Sequence, residues 1–219
     1  MSKSGFSTKK LVLIGMLTAI SFVAVLLGRL VPNIAGFLSY DPKDAVIAIA
    51  GFMTGPVASL IITVLVSVIE MFTISSTGWI GLLMNVLATC GFALPAVIIY
   101  RVKRTRARAL IGLGVGIAVM TAAMVGWNYA ITPLYMGVSR EVVAGMLVPV
   151  FLPFNLAKGF VNAGISFLLY KPVAKAFRKS GLAEPSNAVN DKAAFNVGLK
   201  VLIGALIVTF AIVLIIMMK

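Results

Sequence analysis

Long apolar runs alternate along the chain with short polar segments, and the first run, 11–30, sets the scale. A helix rising 1.5 Å per residue needs about 20 residues to cross the hydrocarbon core of a bilayer, which this run supplies. A shorter apolar stretch, 44–53, is separated from the next run by Thr54-Gly55-Pro56, a helix stop followed by a restart. Further runs cover about 56–72, 78–100, 109–129 and 142–170, the last carrying Pro149 and Pro153, where bending or re-entry is expected. The pattern predicts an all-α integral membrane protein. Residues 1–182 form a six-helix bundle with a short second helix, 183–194 a polar linker, and 195–218 a seventh, C-terminal transmembrane helix. A helix as short as the second has to be surrounded by protein rather than lipid. Lys3, Lys9 and Lys10 ahead of the first run resemble the start of a signal peptide, but the run is of spanning length and no A-x-A-like site follows it, so a retained helix is expected.

Polar residues that interrupt these runs carry the information about chemistry. Asn155, Lys158 and Asn162 fall within an arc of about 60° on one helix face. A lysine facing lipid at membrane depth costs on the order of 3 kcal/mol, so Lys158 is expected to face protein, water or a ligand; the alternative is that it snorkels to the interface. Asn128 lies between Trp127 and Tyr129 at the end of the fifth run, and an aromatic belt accounts for Trp127, Tyr129 and Tyr135 without accounting for the amide. Asn85 suits an interhelical hydrogen bond in preference to a site residue, Glu70 an interfacial carboxylate or a buried partner for Lys158, and Trp79 an interface anchor. In the first loop, Asp41, Pro42 and Asp44 fit the N-cap and first turn of the second helix, which explains both aspartates. Capping leaves Phe37, Leu38 and Tyr40 unexplained. The spacing Gly112-Leu-Gly-Val-Gly116 resembles a dinucleotide fingerprint, but it lies inside an apolar helix with no strand before it, so close helix packing is expected.

Composition and charge then fix sides. The chain is 61% hydrophobic and 11% charged with a mean hydropathy of +1.09, outside the range of soluble domains. Its net charge of +13 is concentrated at the N-terminus, at 101–108 and at 171–179, which six crossings place on one side. By the positive-inside rule that side, with the N-terminus, is cytoplasmic, and nucleic acid is not the expected partner. Phe37 to Asp41, Asn128 and the Asn155–Lys158 face then share the outer half, where they can converge on one outward-facing cavity. Amides and an ammonium suit the carbonyl and imide edge of a planar heterocycle, and Phe37, Tyr40, Trp79 and Trp127 are candidate flat walls. No histidine is present and Cys90 is the single cysteine, which excludes disulfides, zinc sites and His-based nucleophilic sites. Without a carboxylate pair poised for acid–base work, the expected chemistry is recognition and not catalysis, with no cofactor. Without a G-x-x-x-x-G-K-[ST] loop, active uptake would need partner subunits or an ion gradient.

Three motifs, Leu38-Ser-Tyr-Asp-Pro-Lys-Asp44, Asn128-Tyr-Ala-Ile-Thr-Pro-Leu-Tyr-Met-Gly137 and Pro153-Phe-Asn-Leu-Ala-Lys-Gly159, resemble in order the substrate-binding S components of energy-coupling factor (ECF) vitamin transporters, specifically the riboflavin type. The resemblance covers about 11–181. It implies a six-helix fold with both ends cytoplasmic, a flavin site capped by the first loop, and docking onto a transmembrane coupling subunit driven by two ATP-binding cassette ATPases. It further implies that Asn128, Asn155 and Lys158 hydrogen-bond the isoalloxazine ring while Leu38 and its neighbours Phe37, Tyr40 and Asp41 close over it. In that family alanines four apart on helix 1 contact the coupling subunit; here Gly15 and Ala19 fit, and Val23 occupies the next position. An S component for pantothenate, biotin or thiamine, a membrane-embedded enzyme and a ligand-free scaffold are the rival readings.

Overall fold

A computed structural model describes residues 7–182; the predicted linker and seventh helix, 183–194 and 195–218, lie outside the described residues. Within them the chain forms α1 (Thr8–Gly28), α2 (Lys43–Thr54), α3 (Pro56–Thr73), α4 (Gly78–Val102), α5 (Arg106–Met136), α6 (Arg140–Met146), a π-helical turn (Leu147–Phe151) and α7 (Leu152–Lys179). The last three run on as one helix, so six helical segments are present, five of them long and apolar enough to span a bilayer. No strand occurs among the described residues, which agrees with the predicted all-α membrane architecture.

Local chemistry explains where the helices begin and end. The Ser7 hydroxyl accepts from the Lys10 backbone N–H and starts α1 three residues earlier than the apolar run suggests. On α1, Leu13, Ile14, Leu17, Thr18, Ser21 and Val25 are buried while Met16, Ile20, Val23 and Leu27 are exposed, yet both faces are apolar. That is the composition of a helix packed on one side and solvated by lipid on the other. Gly55, at φ 103, and Pro56 separate α2 from α3 as the sequence predicts. α5 continues to Met136, past the predicted end near 129, because a proline within an otherwise apolar helix does not stop it; Gly137, at φ 67, supplies the left-handed cap and donates to the Pro133 carbonyl. The expected bend in the last helix is the π turn. Pro149 lies inside it and Pro153 in the first turn of α7, where a missing N–H is tolerated.

The short α2 is the hub of the bundle. Ala45, Ile47, Ala48 and Ala50 are wholly buried, and α1, α3, α4 and α7 all pack around it. α4 and α5 approach closely because a β-carbon at Gly112 would sit 2.7 Å from the Ala96 carbonyl oxygen and one at Gly116 would overlap that of Phe92. The glycine pattern is a packing device, as its setting in an apolar helix implies. The segments alternate in direction. Gly55 meets the Arg101 side chain at one end, while Gly28 meets Pro42 and Arg29 donates to the Ile74 carbonyl at the other. The basic segments 101–108 and 171–179 therefore share one end, and the loops 29–42, 74–77 and 137–139 share the opposite end.

Candidate ligand cavity

A cavity of about 440 Å³ opens at the loop end, between the 33–41 loop, the ends of α3 and α4, and the faces of α5 and α7. Phe37, Leu38, Tyr40, Asp41, Asn128, Asn155 and Lys158 all line it. Its volume falls within the range of about 300–1,000 Å³ typical of sites that enclose a small organic ligand.

The loop is held over the cavity by specific bonds. Ile34 and Leu38 exchange backbone hydrogen bonds of 2.8 and 2.9 Å around Ala35 and Gly36, both in the left-handed region. The Tyr40 hydroxyl donates to Asn162 Oδ1 at 2.9 Å, and Asn162 Nδ2 donates to the Asp41 carbonyl at 3.1 Å. Asn162 is fully buried, so the deepest amide of the predicted polar stripe serves to pin the loop. Burial, followed by the nearby Asp44 and Asp41 carboxylates, raises the pKa of the Tyr40 phenol, which keeps its proton available for that bond. Phe37 packs its ring 5.8 Å from that of Phe151 at the π turn.

Beneath the loop lies a buried ionic network that revises the sequence-based readings of Asp44 and Glu70 and bears out the one expected for Lys158. Asp44 is fully buried, lies 3.1 Å from the Lys158 ammonium and accepts from the Thr89 hydroxyl at 2.6 Å. It is an ion-pair partner, not simply a first-turn carboxylate, and Lys158 does not snorkel. Glu70 is neither interfacial nor paired with Lys158: it lies 2.6 Å from the Lys43 ammonium, and Asn85 Nδ2 donates to it at 2.8 Å. Asn85 thus makes the interhelical bond expected of it, and it also lines the cavity. Lys43, which sequence reasoning passed over, is fully buried and also bridges Asp41 at 2.5 Å. The predicted cap shifts by one residue: α2 begins at Lys43 with Pro42 at the N-cap, and Asp41, just outside the helix, closes a local turn by accepting from the Lys43 backbone N–H at 3.1 Å. Burial alone would raise the Asp41 pKa; the Lys43 and Lys158 ammonium groups outweigh it and hold the carboxyl below the usual range.

The two cavity amides are oriented by their own helices. Asn128 Nδ2 donates to the Met124 carbonyl at 2.7 Å while its Oδ1 accepts from Thr132, and Asn155 Nδ2 donates to the Phe151 carbonyl at 2.8 Å. An amide offers two donor hydrogens and two acceptor lone pairs, so each retains capacity toward the cavity after these bonds. The flat walls differ from expectation. Trp79 is 71% exposed on the bundle surface and Trp127 packs against the core, and neither lines the cavity. Tyr135 and Phe154 do. Tyr135 stands two helical turns beyond Asn128, a spacing that puts both on one face and marks Tyr135 as more than a belt residue. Gly15 and Ala19 do not line the cavity; they lie on the exposed face of α1 beside Val23, and nothing of the described bundle lies within 4 Å of where a β-carbon at Gly15 would stand.

The chain has recognisable relatives. The family model for the substrate-specific component of ECF transporters matches residues 9–170. The chain is 31% identical over 177 residues to the riboflavin transporter RibU of Staphylococcus aureus (strain TCH60), covering 78% of this chain and 93% of that protein. It is 29% identical over 171 residues to the riboflavin transporter FmnP of Bacillus subtilis (strain 168), covering 74% and 90%. The solved S component of a bacterial ECF transporter superposes with a TM-score of 0.66 at 30% identity, covering 78% of this chain and 98% of that one. By its sequence and its fold, this multi-pass bundle with a cavity under its first long loop belongs to the family of substrate-specific components of ECF transporters.

Proposed function

We propose that the protein is the riboflavin-capturing subunit of an ATP-driven vitamin uptake system, with the cavity facing the cell exterior and the N-terminus in the cytoplasm. The observation that carries this reading is the convergence of Asn128, Asn155 and Lys158 with aromatic walls in one cavity of a chain whose relatives are riboflavin transporters. The amides and ammonium match the alternating acceptors and donor of a flavin's pyrimidine edge, while Phe37, Tyr40 and Phe154 suit its flat ring. Basic residues at the opposite end support the orientation. The subunit recognises its ligand and does not transform it; energy comes from a transmembrane coupling subunit and two ATPases, with the outward Gly15–Ala19 face of α1 as the docking surface.

Titration of riboflavin into the purified full-length protein, followed by quenching of flavin fluorescence, tests the reading. Saturable one-to-one quenching that pantothenate, biotin and thiamine fail to reverse is expected. Displacement by any of those three would reassign the ligand.

A further inference from the structure

At the basic end of the bundle a second, smaller cavity of about 80 Å³ opens between the end of α4, the start of α5 and the later turns of α7. Its floor is an aromatic triad. The Phe52 ring lies 4.8 Å from Tyr100 and 5.5 Å from Tyr170, and the two tyrosine rings meet edge-on at 5.6 Å. Their hydroxyl oxygens are 2.7 Å apart, so whichever donates, the other keeps a hydrogen to offer. Arg104, Arg106 and Lys171 form the rim; Arg104 is exposed, while Arg106 and Lys171 also engage other groups of the chain. Among the described residues every carboxylate, Asp41, Asp44, Glu70 and Glu141, lies toward the ligand-cavity end, so this end carries cations alone. Exposed Ile98, Val102 and Leu169 continue the surface from the rim toward the hydrocarbon.

We propose that this slot holds the headgroup of an anionic phospholipid, with its phosphate among Arg104, Arg106 and Lys171 and its acyl chains along the exposed apolar flanks of α4 and α7. The rim supplies charge complementary to a phosphodiester. The aromatic floor favours an amphiphile over a free anion, because a soluble phosphate would lose hydration against the rings without burying apolar surface in return. Basic pockets between transmembrane helices at the cytoplasmic side are suited to anionic headgroups, and each lysine or arginine near such a surface adds about 1 kcal/mol. The cations at this end thereby acquire a role beyond setting orientation.

Native mass spectrometry of the full-length protein with phosphatidylglycerol or phosphatidylcholine tests the proposal. Phosphatidylglycerol is expected to be retained preferentially, and Arg104→Gln with Lys171→Gln to lower its retention by about five-fold for each charge removed. Arg104→Gln alone, at an exposed position where folding is not at stake, should show the single-charge loss, and flavin affinity should be unchanged. Lys175→Gln with Lys179→Gln, removing two exposed cations outside the slot, should have little effect. Equal retention of the two lipids overturns the proposal, as does an equal loss in the Lys175/Lys179 variant, which would indicate diffuse surface charge. Displacement of the lipid by inorganic phosphate would show a free-anion site, and displacement by the coupling subunit a protein-docking surface; either contradicts it.

Discussion

Lys158 sits where two demands meet: its ammonium is held at 3.1 Å by the buried Asp44, and it lines the cavity beside Asn155. The pairing lets a charged group remain at that depth, and the cavity gives it a ligand to address. Lys158→Ala and Asn155→Ala are each expected to weaken flavin binding by about 1–3 kcal/mol, because each leaves a desolvated polar edge of the ligand unpaired. Unchanged affinity in both variants, measured by fluorescence titration, would assign these side chains to helix packing alone. Lys43 has a different weight. It is buried between Asp41 and Glu70, so Lys43→Met removes the cation that bridges these two carboxylates and should lower stability by about 3–5 kcal/mol. Adding Glu70→Gln should recover part of that loss in thermal unfolding; a Lys43→Met protein that melts with the wild type would refute the assigned role. At this scale the amides and Lys158 were legible in the sequence because a polar group inside an apolar run stands out. Lys43, Asp44 and Glu70 were not, since their pairing spans distant segments and each residue has an ordinary local explanation as a cap or interfacial charge. The available hint was that charges opening a helix which must be surrounded by protein need buried partners.

The element that distinguishes this bundle from a plain set of spans is the loop before α2, with α2 itself. Apolar length and the Gly55-Pro56 break revealed the short helix, and its brevity implied the burial that is observed. Helix ends were less legible: α5 runs on to Met136 through Pro133, and the last helix absorbs Pro149 in a π turn, because neighbouring helices stabilise backbone that local signals would terminate. The loop is fastened by Asn162, which accepts from Tyr40 and donates to the Asp41 carbonyl. Asn162→Ala removes both bonds. At about 1 kcal/mol each, their loss should accelerate flavin dissociation by up to about thirty-fold with little change in association, read by stopped-flow fluorescence. An unaltered dissociation rate would mean that the loop is retained by the ionic network beneath it instead.

Across the whole molecule the charges are segregated. Acidic side chains of the described bundle gather at the ligand-cavity end and an excess of lysine and arginine at the other, so one sequence pattern bears both on orientation and on where the small second cavity finds its cations. The six-segment architecture followed from hydropathy, and the family from three separated motifs. Topology already put loop 33–41, Asn128 and the Asn155–Lys158 face on one side, where they can converge; the bonds that fasten them there, Tyr40 and Asp41 to Asn162 and Asp44 to Lys158, required the folded chain, because no local periodicity records contacts between segments so far apart in sequence. The central claim is that their meeting place captures a flavin. Its most direct test is titration of riboflavin into the purified full-length protein with fluorescence detection: saturable one-to-one quenching, weakened in Lys158→Ala, is the predicted result, and an absence of quenching by folded protein would contradict the account.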